Sequence, residues 1–62
     1  MNMSDEAVQE TFEALFALTD LRQIFRDTKP THQLSDEQLQ KVKEIIEKVR
    51  HSADVIEKEL VK

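Results

Sequence analysis

From Ser35 onward the apolar residues Leu39, Val42, Ile46, Val49, Ala53, Ile56 and Leu60 follow one another at alternating spacings of three and four. That rhythm is the seam of an α-helix packed along one side, and Ile45 widens it on one flank. The first half of the chain is patterned differently. Val8, Phe12, Leu15, Phe16, Leu18, Leu21, Ile24 and Phe25, together with Ala7, Ala14 and Ala17, cover much more than one stripe of a helix. The strictly polar sector shrinks to Gln9, Glu13, Asp20, Gln23 and Asp27. Between the two patterns runs a polar stretch, Thr28 to Gln33, that contains Pro30. Proline removes a backbone donor and biases Lys29 away from helical angles, so the first helix stops near Thr28.

Local start signals agree with this division. Ser35 with Gln38 three residues later has the spacing of a capping box, and Asp36 and Glu37 stand where the helix dipole favours negative charge. Leu34 and Leu39 occupy the positions of a hydrophobic staple. Ser4 opens the first helix in the same way, followed by Asp5 and Glu6, with Met3 and Val8 as its staple. Ala7 stands where the box partner would be. The outer face of the second helix places Glu37 four residues before Lys41, Glu44 before Lys48 and Asp54 before Lys58, the favourable order for exposed pairs.

The sequence therefore predicts an all-α fold: one helical-hairpin domain over residues 1–62. Its helices span about 5–28 and about 36–61, joined by a loop of about 29–34 and packed antiparallel. One partner helix cannot cover the broad apolar surface of the first, and 62 residues without a staple bury too little surface to fold comfortably alone. The expected remedy is dimerisation into a four-helix bundle. The partner or dimer interface is expected at Phe12, Leu15, Phe16, Leu18, Leu21 and Phe25 of the first helix. From the second helix it takes Val42, Ile45, Ile46, Val49 and Ile56. The surplus face of the first helix serves either as dimer core or as an external docking site for a protein partner, and the sequence does not separate the two.

Composition narrows the chemistry. There is no Gly, which excludes phosphate-cradling loops and dinucleotide fingerprints, and no Cys, which excludes disulfides and thiolate metal sites. Thirteen acids against nine bases give a formal charge of −4, unfavourable for non-specific attachment to nucleic acid or anionic lipid. The N-terminal residues lack a signal-peptide pattern and no apolar run is long enough to span a membrane, so the expectation is a cytoplasmic protein with no membrane partner.

Candidate reactive groups each have an ordinary reading. His32 falls in the loop and His51 on the outer face of the second helix, four residues after Glu47. No Glu has a His three residues on, the spacing that di-metal helical bundles use. Ser4 and Ser35 are caps, and Ser52 has no neighbouring general base. No catalytic, cofactor-binding or metal site is expected, and no enzyme activity. The basic residues Lys41, Lys43, Lys48, Arg50 and Lys58 interleave with acids, and Lys43 and Arg50 flank the seam seven residues apart. The functional expectation is a small non-enzymatic regulatory or adaptor protein working through protein contacts of its helical surface. Its size is that of the accessory proteins of phages and plasmids. The alternative is a nucleic-acid-binding four-helix-bundle regulator that contacts RNA or DNA through Lys43 and Arg50.

Overall fold

A computed structural model of the chain describes residues 4–29 and 33–61. Two helices make up the fold, α1 (Asp5–Asp27) and α2 (Asp36–Leu60), packed against each other as an antiparallel hairpin. The Met3 half of the first staple, Pro30 and His32 lie outside the described residues.

Capping chemistry sets both helix starts. Ser35 Oγ accepts from the Gln38 N–H at 3.1 Å while Gln38 Oε1 accepts from the Ser35 N–H at 2.9 Å, a complete capping box. Ser4 Oγ accepts from the Ala7 N–H at 3.3 Å and donates its own proton to Glu59 of α2 at 2.5 Å. The residue that caps α1 thus also ties the open end of the hairpin together. Helix ends normally use a glycine, and this chain has none. Thr28 closes α1 instead in ordinary right-handed geometry, its N–H and hydroxyl both donating to the Phe25 carbonyl at 3.3 and 2.8 Å. α1 therefore ends one residue before the expected boundary, with Thr28 buried as its cap, and α2 ends at Leu60, with Val61 capping through an N–H to the Glu57 carbonyl.

The contact between the helices corrects the expected packing. Along α1 the side chains turned to α2 are Ala7, Glu10, Ala14, Ala17, Leu21, Ile24 and Thr28; along α2 they are Gln38, Val42, Ile45, Val49, Ser52, Ile56 and Glu59. Each series keeps the three-and-four spacing, but α2 is turned from the expected seam. Ile45 and Ser52 enter the contact, while Leu39, Ile46 and Ala53 leave it for solvent. Ser52 enters the contact level with Glu10 of α1, whose carboxylate accepts its hydroxyl proton. Only Ala7 and Ala17 are buried hydrophobic residues among those described.

The hairpin is a rod of 46 × 15 × 13 Å with a Cα radius of gyration of 14.3 Å. A compact 62-residue domain would have a radius of gyration of about 10.6 Å. No described helix is long and apolar enough to cross a membrane.

Candidate functional site

Three polar contacts fix how the helices face each other. Ser52, wholly shielded from solvent, donates its hydroxyl to Glu10 Oε1 at 2.8 Å. Lys48 reaches across to Glu13 at 3.0 Å rather than along its own helix to Glu44. The Ser4–Glu59 bond completes the set. These pairs place Glu10 level with Ser52 and Glu13 level with Lys48, so the register is known along the whole rod.

The pairs also define two sides. On the side of the Glu13–Lys48 bridge runs a groove of about 530 Å³ lined by Asp20, Gln23 and Asp27 of α1 and Lys41, Glu44 and Lys48 of α2. Phe16, Ala17, Ile24 and Ile45 line it as well, so its charged side chains stand beside apolar ones. On the opposite side Ala7, Val8, Thr11 and Phe12 meet Leu60 around an apolar hollow of about 190 Å³. Seven-residue steps carry this side along both helices, through Thr11, Leu18 and Phe25 on α1 and through Leu39, Ile46, Ala53 and Leu60 on α2. One face of the hairpin is thus charged and the other predominantly apolar.

The expected interface residues divide between these environments. Leu21, Val42, Ile45, Val49 and Ile56 are half-buried between the helices. Phe12, Leu15, Leu18, Phe25 and Ile46 are exposed, and Phe16 is the most exposed of the phenylalanines at 64%. Sequence reasoning anticipated that one partner helix cannot cover the apolar surface of the first, and Phe12, Phe16 and Phe25 are all exposed. Lys43 and Arg50 stand exposed on the outer side of α2, seven residues apart and followed at the same interval by Glu57.

Reactive chemistry is sparse. Glu47 and His51 are both exposed and form no bond with each other. Among the described residues no group of three or more His, Asp or Glu side chains is set to hold a metal ion. Ser52 does have a carboxylate beside it, which sequence reasoning missed. The pair has no histidine and no pocket, and it acts as a buried pin between helices. Every buried side-chain polar atom among the described residues has a partner. The missed signal was the series Ala7, Glu10, Ala14, Ala17, as regular as the apolar series of α2 but made of residues too small or too polar to suggest a seam.

Comparison with known proteins adds what the residues do not say. O-phospho-L-seryl-tRNA:Cys-tRNA synthase 2 of Methanocella arvoryzae is 40% identical to the chain over 57 residues, which is 92% of the chain. The chain spans only 12% of that synthase's length. No protein-family description matches the chain, and no solved structure matches it. The 57 residues leave five outside, so both helices take part in the likeness. This overturns the expectation of a non-enzymatic regulator or adaptor of the phage or plasmid kind, and its nucleic-acid-binding alternative with it. The relative is an enzyme, and the chain matches a short stretch of it.

Proposed function

We propose that the chain is the helical-hairpin element of an enzyme of the kind its relative names, one that works between O-phospho-L-seryl-tRNA and Cys-tRNA, in the cytoplasm where such substrates are made and used. The observation that carries this reading is the 40% identity running through both helices. Catalysis then rests with the remainder of the enzyme, and the hairpin contributes a rigid rod with one charged and one apolar side. The same reading takes the hairpin as one half of a four-helix bundle, supported by the large apolar side chains that its own contact leaves outside.

The test is a replacement. The matching stretch of the Methanocella arvoryzae synthase is exchanged for this chain's residues, and in a second variant it is deleted; formation of Cys-tRNA is then measured. The exchange is expected to keep the rate within about tenfold, some 1.4 kcal/mol of barrier, and the deletion to lose more than that. An exchange as damaging as the deletion, or a deletion without effect, overturns the reading.

A further inference from the structure

The surface of the hairpin is too large for its mass. It exposes 5299 Å² at 7.3 kDa, whereas a compact monomer of that mass exposes about 4,200 Å². The excess, about 1,100 Å², is close to the roughly 800 Å² that each partner of a standard interface contributes. Large exposed apolar side chains gather on one side, where Leu15, Leu18, Phe25, Leu39 and Ile46 are each between 41% and 53% exposed. A patch of that extent on a soluble protein is a contact surface.

The arrangement of this face selects its occupant. Along α1 the large residues mirror one another about the level between residues 16 and 17: Val8 against Phe25, Leu15 against Leu18. Along α2 the open face is centred on Ile46, with Leu39 and Ala53 seven residues to either side. The Ser52–Glu10 and Lys48–Glu13 pairs show that these two midpoints lie at the same height on the rod. A face with one mirror level across both helices is complementary to itself when turned end over end.

Charge points the same way. The half of the hairpin nearer the loop, residues 17–45, carries five acids and five bases; the open half carries eight acids and four bases, so the net −4 resides there entirely. Two copies stacked in the same direction would set their acidic ends on each other. Stacked end over end, they separate those ends and bring Arg26 and Lys29 of one copy over Asp5 of the other.

We infer that the apolar face binds a second copy of this chain, end over end, around a two-fold axis that crosses α2 at Ile46. The helices α1 pack on each other and the helices α2 on each other, closing a four-helix bundle, while Phe16 at the border of the charged groove stays outside the contact. This inference stands on the hairpin's own surface and is independent of the synthase reading.

The chain has no cysteine, so introduced ones report without interference. Sedimentation equilibrium of the unaltered chain at micromolar concentration is expected to give twice 7.3 kDa. Under mild oxidation Ile46→Cys should form a self-linked dimer, because the axis brings the two copies of that position together. Lys58→Cys, on the outer side of α2, should not. Ile46→Asp should give a monomer that keeps its helical circular dichroism. A single 7.3 kDa species of the unaltered chain overturns the inference, even if another protein then binds the same face. So does a dimer in which Lys58→Cys links and Ile46→Cys does not, a result that needs no substitution of an apolar residue by a charge.

Discussion

The seam between the helices mixes small and polar residues with half-buried aliphatic ones, whereas the open face beside it shows large apolar side chains to solvent. The seam carries Ala7, Ala14, Ala17, Ser52 and Glu10 together with Leu21, Ile24, Val42, Ile45, Val49 and Ile56; the open face carries Leu15, Leu18, Phe25, Leu39 and Ile46. A fully buried Leu, Ile or Phe contributes about 1.5–3 kcal/mol, and an alanine only a fraction of that. The helix-to-helix contact therefore buries its aliphatic residues only in part and adds specific geometry: one buried hydroxyl–carboxylate bond, the Ser4–Glu59 bond and one cross-helix ion pair. The open face keeps large apolar side chains exposed. The inner contact sets register, and the proposed second copy would add burial on the open face.

The contrast breaks most visibly if the seam tolerates bulk. Ala17 is 4% exposed at the middle of α1, and Ala17→Leu should force the helices apart at a cost of about 2–3 kcal/mol. Thermal unfolding followed by circular dichroism at fixed protein concentration reads this directly. An unchanged or raised midpoint would mean that the helices are not held at alanine distance. Next in size is the buried pin. Glu10→Ala leaves the Ser52 hydroxyl without its acceptor in a fully shielded site, which should cost about 1–3 kcal/mol. Removing both groups in Glu10→Ala/Ser52→Ala should recover part of that loss. A double variant no more stable than Glu10→Ala would show that the hydroxyl reaches water after all.

Much of the fold was legible because helix starts and stops are local chemistry. Ser35 with Gln38, Ser4 ahead of two acids, and the polar stretch around Pro30 each act through neighbouring residues, and the two helices follow from them. The rotation of α2 was not legible in the same way, because it is settled by the other helix. Reading α2 alone ranks its residues by hydropathy and puts Leu39, Ile46 and Ala53 inward; α1 presents Glu10 level with Ser52 and bonds it. The series that decides the matter, Ala7, Glu10, Ala14 and Ala17, contains a carboxylate, and a carboxylate in a seam is legible only once its partner is known. The likeness to the synthase was further out of reach, since it lies in sequence identity and in no local pattern of either helix.

A smaller effect tests the start of α2. Ser35→Ala removes one half of a complete capping box and should cost about 1 kcal/mol. Because Ser35 lies at the loop end of the rod, far from Glu10, the loss should add to that of Glu10→Ala within a few tenths of a kcal/mol, the usual error for distant sites. Strong non-additivity would mean that the loop end and the seam unfold as one contact.

The smallest expected effect is the one that best separates the two helices' claims on a single lysine. Lys48 has Glu44 one turn back on its own helix and Glu13 across the seam, and it bonds to Glu13 at 3.0 Å. Both side chains of that pair keep roughly half their exposure, 53% for Lys48 and 40% for Glu13, so their coupling should be only about 0.2–1 kcal/mol. A double-mutant cycle on Glu13→Gln and Lys48→Gln measures it, and a parallel cycle with Glu44→Gln measures the competing pair. The Glu13 coupling should be the larger and should fade in 1 M salt, where charges are screened over about 3 Å. A larger coupling to Glu44 would make Lys48 a solvated side chain of α2 alone. The charged side of the hairpin would then hold the helices together no better than the open one, and the contrast between the two sides would reduce to apolar surface.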